Sequence, residues 1–306
     1  MKAVRYHQYG GPEVLRYEEA ERPRPGAGQV LIRVAGTSFN PLDASIRAGF
    51  LQEAFPVAFP HTPGVDVAGT VEEPGEGVAA WSAGDAVIGF LPANEDGSAA
   101  EFVVAPADIL AAAPSTIPLA DAAAMPATAL TAWQALFEHG GLEAGRRVLI
   151  RGAGGGVGGY AVQFAKRAGA FVIATASARS AATVRAQGAD QIVDYTTGAL
   201  AEAVAEPVDL VVNLVRDNET GLAALVADGG AVVTTTTPGE GDPARDVRAV
   251  SMYVRSDAAQ LAEIARRVDS GELRVDVSER HPLSELALVH EQGAAGKFRG
   301  KVVLVP

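Results

Sequence analysis

The stretch RVLIRGAGGGVGGYAVQFAKRAGAFVIATASAR, Arg147 to Arg179, decides the fold of this chain. A short apolar run, Val148 to Ile150, stops at Gly152, and Gly154, Gly155, Gly156 and Gly158 come closely after it. A helical pattern then puts Val157, Ala161, Phe164, Ala165 and Ala168 on one face, the spacing of an amphipathic helix. Gly169 ends it, as helix C-termini prefer, and Phe171 to Ala174 form a second apolar run. Strand, glycine turn, helix and strand within about 30 residues is the size of a βαβ unit.

The glycines have a physical task in such a unit. A tight turn needs positive φ, which glycine adopts without steric cost. A pyrophosphate approaches main chain closely only where no Cβ intervenes, and the N–H groups and dipole of the helix N-terminus then bind the anion. Two registers fit, Gly152-x-x-Gly155-x-x-Gly158 and Gly154-x-Gly156-x-x-Gly159, the second being the usual dinucleotide fingerprint. The plainer alternative is a flexible glycine loop. The flanking strand and helix favour nucleotide binding over it.

The residues just past the second strand narrow the choice of nucleotide. NAD-binding units carry Asp or Glu about 20 residues on, to accept hydrogen bonds from the ribose 2′-OH. Here the region reads Thr175-Ala176-Ser177-Ala178-Arg179, without a carboxylate. Hydroxyls and a guanidinium suit a 2′-phosphate that a carboxylate would repel. The expectation is NADPH, the alternative for Arg179 being a solvated charge at a helix start.

Composition bounds the rest. A chain of 306 residues predicts two domains, and 48% hydrophobic residues supply packed cores. A net charge of −12 argues against nucleic acid or an anionic membrane as a main partner. There is no cysteine, which excludes disulfides, thiolate zinc sites and a cysteine nucleophile. The N-terminus, Met1 to His7, has no apolar signal core, and no run approaches the ~18 apolar residues of a membrane span. A cytoplasmic chain is the expectation.

Along the chain, residues 1 to about 120 read as β-rich. Strands are expected at Lys2–Arg5, Leu15–Glu19, Val30–Thr37, Val65–Glu72, Ala86–Phe90 and Phe102–Val104, separated by glycine and proline turns. This pattern predicts a small barrel-like domain. A crossing rich in Pro and Ala, 106–127, leads to a helix over Thr128–His139. After the glycine loop come expected strands at Gln191–Val193, Val208–Leu214, Ala231–Thr235 and Val250–Val254, with helices near Ala178–Gln187, Gly198–Ala205 and Glu219–Val226. Such alternation predicts a doubly wound parallel sheet. Ser256 is read as the N-cap of a helix closed by Gly271, and Leu273–Val277 and Lys301–Val305 return to strand character.

The chain resembles the medium-chain dehydrogenase/reductase family in its zinc-free quinone oxidoreductase branch, the zeta-crystallin type. The markers are Gly10-Gly11-Pro12-Glu13-Val14-Leu15, Asn40-Pro41-x-Asp43, Pro63-Gly64-x-Asp66-x-Ala68-Gly69, Leu130-Thr131-Ala132-Trp133, the glycine loop, and Gly300-Lys301-Val302-Val303-Leu304. The resemblance implies an α/β fold: a Rossmann NADPH-binding domain, 122–271, inserted in a discontinuous β-rich GroES-like domain, 1–121 completed by 272–306. It implies an active site between the two.

The resemblance also carries over site residues. The loop Gly152, Gly154, Gly155, Gly156, Val157 and Gly158 should hold the pyrophosphate. Ser177, Arg179 and Tyr195 sit where relatives bind the 2′-phosphate or adenosine. Thr131, Thr235 and Thr236 lie where relatives contact the nicotinamide half, and the Met252-Tyr253-Val254 backbone should meet the carboxamide. Asn40 falls where relatives place an asparagine beside the nicotinamide, and is the best catalytic candidate; as local chemistry alone, Asn40-Pro41 is an ordinary turn. Ser45 stands near the cofactor where many relatives have Tyr, and Asn213 ends a strand where relatives often have an acidic residue. Phe50 and Tyr253 are candidate walls of the substrate pocket. A homodimer through the edge strand Ala249–Val254 is a further expectation.

The chemistry expected is hydride transfer to a quinone or an α,β-unsaturated carbonyl. Reducing a plain ketone makes an alkoxide that needs a Lewis acid or a placed proton donor. Reducing an enone or quinone makes an anion spread over a π system, which solvent can protonate. The other readings are an enoyl-thioester reductase of fatty-acid or polyketide type, and a non-catalytic NADPH-binding protein. No metal is expected, and His7, His281 and His290 lack ligand spacing. His139 reads as a helix-end cap, and His61, between Pro60 and Pro63, as a candidate for a cleft mouth.

Overall fold

The computed structural model describes residues 1–198, 200–216, 221–236 and 239–306. The chain divides into two compact units, Thr128–Val254 and Met1–Ala127 with Arg255–Pro306.

The unit Thr128–Val254 is built on a six-stranded sheet whose strands all pair in parallel. Across the sheet they run Gln191–Val193, Phe171–Thr175, Arg147–Arg151, Val208–Asn213, Val226–Thr234, Arg248–Ser251. In chain order that is third, second, first, fourth, fifth and sixth, the doubly wound arrangement. The reason is visible in the side chains. Val148, Leu149, Ile150, Ile173, Val211 and Val212 are fully buried, as strands covered on both faces must be. The helix Gly156–Arg167 packs on this sheet through Ala161, Val162, Phe164 and Ala165, and Gly169 leaves it at φ 81.

Three elements here differ from the sequence reading. The helix expected over Glu219–Val226 lies partly outside the described residues; of the remainder, Leu222–Leu225 is one 3-10 turn and Val226 already belongs to a strand. Val226 pairs with Val208 and is fully buried, so β-branched packing overrides the helical spacing. The helix before the glycine loop is α-helical over Pro126–Trp133 and widens to π geometry over Gln134–His139, where Gly140 N–H reaches Ala135 O at 3.0 Å. Of the helix expected at Gly198–Ala205, Leu200–Ala203 is helical, and position 199 lies outside the described residues.

The other unit carries a seven-stranded sheet in which Gln29–Ser38 is the longest strand. It pairs antiparallel with Asp66–Pro74, Phe102–Pro106 and Lys301–Val305. Val30, Ile32 and Val34 alternate inward against Val67, Val71, Val87 and Val103, the period-two pattern of a half-buried strand. Leu110–Ala112, in the stretch read as a crossing, is a strand against Ala86–Phe90. The C-terminal strand begins at Val277 rather than Leu273, and a helix not anticipated, Leu286–Ala294, comes after it. That helix lies close to Phe39: a Cβ on Gly293 would stand 2.3 Å from the ring.

The helix Ala258–Asp269 belongs to this unit in the structure, whereas the sequence boundaries grouped it with the nucleotide sheet. Asp269 accepts from the N–H groups of Ser115 at 2.8 Å and Thr116 at 2.9 Å, and Ser256 Oγ donates to Phe90 O at 2.6 Å. Ser256 is therefore engaged elsewhere. The N-cap is Asp257, whose carboxylate accepts from Gln260 N–H at 2.9 Å, as a good N-cap residue does. Among the described residues, no helix is long and apolar enough to cross a membrane.

Candidate functional site

In a parallel sheet, ligands collect at the carboxyl ends of the strands, where the strand order reverses. Apart from Thr131, the expected cofactor residues of the Thr128–Val254 unit fall on that edge. Gly152 follows the strand ending at Arg151, Ser177 and Arg179 follow Thr175, and Tyr195 follows Val193. Thr235 and Thr236 follow Thr234, while Tyr253 and Val254 follow Ser251. Asn213 pairs in register with both Arg151 and Thr234, so the strand ends stand level. Ser177 is half-buried, Arg179 exposed, and Tyr195 and Tyr253 are 61% and 70% exposed.

The glycine loop is shaped by two different demands. Gly152 has φ 81, and its N–H donates to Thr175 Oγ1 at 3.0 Å. A Cβ on Gly158 would meet Gly152 O at 2.3 Å and Ala153 Cα at 2.5 Å, both main-chain atoms. One on Gly154 would stand 2.5 Å from Ser180 Oγ, at the start of the next helix. Those three glycines are required by the fold itself. Gly155 is not: its φ of −90 and ψ of 176 suit any residue, and a Cβ there would find only Gly152 O, at an ordinary 3.5 Å. Gly155 is the N-cap of Gly156–Arg167 and brings no side chain to its first-turn N–H groups. Main chain left bare at a helix N-terminus, with no packing reason for it, fits the close approach of a phosphate.

Beside the loop, Arg151 Nη1 donates to Asn213 Oδ1 at 2.8 Å, both residues being buried. This gives Asn213 a partner at the strand end where the resemblance implies an acid. Thr236 Oγ1 donates to Val215 O at 2.9 Å, and Thr235 N–H to Asn213 O at 3.2 Å, so the threonine pair is held down onto the same strand end. Thr131, on the helix Pro126–Trp133, is 8% exposed.

In the other unit, Asn40 ends the long strand's excursion and N-caps the helix Pro41–Arg47. Its side chain is engaged at both ends. Lys301 Nζ donates to Asn40 Oδ1 at 2.6 Å, and Asn40 Nδ2 donates to Asp66 Oδ2 at 2.8 Å, with a longer bond to Ser38 O at 3.4 Å. Asp66 is wholly buried. Its carboxylate also accepts from Ser38 Oγ, from Lys301 Nζ at 3.1 Å, and from the N–H of Ala127 at 2.6 Å. Lys301 completes its three donors with Phe39 O at 2.9 Å. Neither Asp66 nor Lys301 carries a role in the sequence reading; each stands there only as a motif letter. The usable signal is charge type, an Asp and a Lys each set within an apolar strand run.

The same helix holds Asp43, whose Oδ1 accepts from Gly64 N–H at 3.0 Å while Oδ2 has no hydrogen-bond partner among the described residues. Burial, and then the neighbouring Asp66, push its carboxyl up to about 7, against the opposing pull of the Gly64 N–H and Lys301. Asp43 lines a small pocket with Tyr6, His61, Gly64 and Gly97. His61 is buried, which lowers its imidazole below the ordinary range against a weaker upward pull from Asp96. Ser45 Oγ donates to Pro41 O at 2.9 Å, so its proton is held by its own helix. Phe50 is 78% exposed within this chain.

Comparison with known proteins decides what these two constellations belong to. Residues 26–115 match the alcohol dehydrogenase GroES-like domain and residues 187–304 a zinc-binding dehydrogenase model. A chloroplast envelope quinone oxidoreductase homolog of Arabidopsis thaliana is 32% identical over 100% of this chain and 98% of its own. The solved quinone oxidoreductase of Coxiella burnetii superposes with a TM-score of 0.92 at 31% identity, covering 100% of this chain and 99% of that one. A solved NAD-dependent alcohol dehydrogenase superposes at 0.90 with 30% identity, covering 100% of both chains.

The chain belongs to the medium-chain dehydrogenase/reductase family, in its quinone oxidoreductase branch. It is an oxidoreductase of a nicotinamide-dependent family, acting on a small molecule. The fold is the family's, a GroES-like N-terminal domain with a Rossmann-type parallel sheet. The zinc-binding description of one matched model sits on a chain with no cysteine. Among the described residues of this oxidoreductase, no three His, Asp or Glu side chains gather as a metal site. The strand Arg248–Ser251, near the segment expected to pair two copies, stands at the edge of the parallel sheet.

Proposed function

We propose that this oxidoreductase transfers hydride from NADPH to a quinone or another electron-poor conjugated carbonyl, without a metal. The observation that carries the reading is Gly155, bare main chain at a helix N-terminus that internal packing does not demand. Gly154 to Gly158 would hold the pyrophosphate through main-chain N–H groups. Ser177 and Arg179 would take the 2′-phosphate, since the loop after Thr175 has hydroxyls and a guanidinium and no carboxylate. Bound there, the cofactor supplies the hydride.

The residues of this chain then orient and exclude. Thr131, Thr235 and Thr236 flank the nicotinamide half as the resemblance implies. Asn40 acts by position, because Lys301, Asp66 and Ser38 hold its amide at both ends. The thiolates of zinc-bearing relatives are missing from the sequence. An acceptor whose reduced anion is delocalised needs no strong Lewis acid, and a quinone or enone is that acceptor.

Mixing the purified protein with NADPH and either 1,2-naphthoquinone or an alkenal tests the reaction. Oxidation of the nicotinamide is expected with these acceptors and not with a saturated ketone. NADPH binding with no turnover on any conjugated acceptor overturns the catalytic reading. The cofactor choice is tested separately: Arg179→Glu should weaken NADPH by about tenfold more than NADH. Equal weakening of the two overturns it.

A further inference from the structure

We propose that Lys301 is a positioning residue for the reaction, acting through Asn40. This rests on the proposed function, in which Asn40 acts by position, beside the nicotinamide as the resemblance implies. A lysine ammonium has three donors and no acceptor. All three are matched here, to Phe39 O, Asn40 Oδ1 and Asp66 Oδ2, and the residue is 4% exposed.

Geometry turns that into a constraint on Asn40. An asparagine amide has an accepting end and a donating end, and its neighbours decide which way it faces. An ammonium can only donate, so the 2.6 Å contact with Lys301 fixes Oδ1 on that side. Nδ2 must then face Asp66, and it does so at 2.8 Å. The bond from Lys301 to Phe39 O pins the main chain just before Asn40 as well. Asp66 completes the device. It holds Asn40 and Lys301 while accepting from Ala127 N–H in the first turn of the helix that carries Thr131. One buried carboxylate therefore holds the starts of two helices, Pro41–Arg47 and Pro126–Trp133, with Lys301 as its counter-charge.

A merely stabilising ion pair would not need this arrangement, since a buried pair is weak evidence for stability. Here the cation is shared between its counter-ion and the accepting end of a neutral amide, whose donating end faces Asp66 and Ser38 O. Lys301 is the lysine of the C-terminal Gly300-Lys301-Val302-Val303-Leu304 segment. Its Nζ crosses from that strand to the residue soon after the Gln29–Ser38 strand, a separation of 261 positions for the Asn40 contact.

The test is Lys301→Met, which keeps the stem and removes the donors, measured with Asn40→Ala and the double variant. Lys301→Met should lower kcat for quinone reduction by about ten- to a hundredfold, the scale of a sub-ångström to ångström misplacement. The dissociation constant for NADPH should stay within about twofold, because the glycine loop is untouched. The double variant should be no slower than Asn40→Ala alone. Where Lys301→Met fails to fold, Lys301→Met with Asp66→Asn removes both charges together and is read in the same way. A folded variant with unchanged kcat, or a double variant whose losses multiply, overturns the proposal. A readout independent of turnover separates it from the function it rests on. The side-chain amide protons of Asn40 should exchange slowly with solvent in the native chain by NMR, and faster in Lys301→Met. Equal exchange in the two overturns the positioning role even where the native protein reduces no quinone.

Discussion

The glycine loop and the Asp66 cluster solve opposite problems. At Gly152–Gly158 the chain removes side chains, so that main-chain N–H groups and a helix dipole are left for a charged ligand. Around Asp66 it packs side chains in until every strong donor has an acceptor inside the protein. The first region is left open at Gly155, at the N-terminus of its helix. The second is closed, and its charges are tolerable only as a complete set. Substitutions in the second region should therefore act on folding or turnover, and in the first on binding wherever the turn does not itself require the glycine.

The largest effect should come from breaking the closed set. Asp66→Ala leaves a buried ammonium without its counter-ion and removes the acceptor that Asn40 Nδ2 and the Ala127 N–H share. Losing one partner of a buried ion pair costs about 3–5 kcal/mol. Denaturant titration should place Asp66→Ala at least that far below the native protein. A loss under about 1 kcal/mol would mean that the cluster is not a closed unit.

Within the open region, the glycines divide the two effects between them. Gly158→Ala forces a Cβ within 2.5 Å of Gly152 O and Ala153 main chain, so the turn must shift. It should lower stability by about 1–3 kcal/mol and weaken nucleotide as a consequence. Gly155→Ala meets nothing closer than 3.5 Å within the protein. It should leave the unfolding midpoint unchanged and weaken NADPH by about tenfold, through the methyl group alone. Calorimetric titration beside thermal melts reads both. A Gly155→Ala protein that binds NADPH as tightly as the native one would remove the observation on which the proposed function stands.

The two regions also differ in how much of them sequence could show. The loop is contiguous: strand, glycines, helix and strand fall in one window, and period and turn chemistry suffice to place it. The order of the parallel sheet follows from the same alternation. The closed cluster draws Ser38, Asn40, Asp66, Ala127 and Lys301 from distant positions. No local period relates Asp66 to Lys301, and only the pairing of Lys301–Val305 with Gln29–Ser38 brings them together. The misjudged elements share that cause. Ser256 reads as a cap until Phe90 O claims its hydroxyl. Val226 reads as helical until its pairing with Val208 is known. Leu286–Ala294 is short, and its buried face is set by neighbours such as Phe39 rather than by a strong stripe of its own.

The smallest net effect on the native protein itself concerns protons at the edge of the closed cluster. Asp43 is carried to about 7 in the folded protein, from an ordinary 3.8, by burial and then by Asp66. A carboxyl raised on folding binds its proton more tightly in the native state, so it lowers stability progressively as pH rises from about 4 to about 7. His290 works the other way. Burial, then Arg47, lowers it to about 3 from 6.5, so its contribution is present above 6.5 and is lost as pH falls through 3. Both groups titrate differently in the folded and unfolded chain between about 4 and 6.5, and there the two slopes oppose each other, which keeps the net change small. Their difference can still be read. Asn at position 43 mimics the protonated acid and keeps an acceptor for Gly64 N–H. The melting temperature of Asp43→Asn should therefore gain on the native protein as pH rises from about 4 to about 7, and the gap should level off above that. A gap that does not change with pH would mean that Asp43 ionises as an ordinary carboxylate, and that the closed set around Asp66 tolerates a second full negative charge.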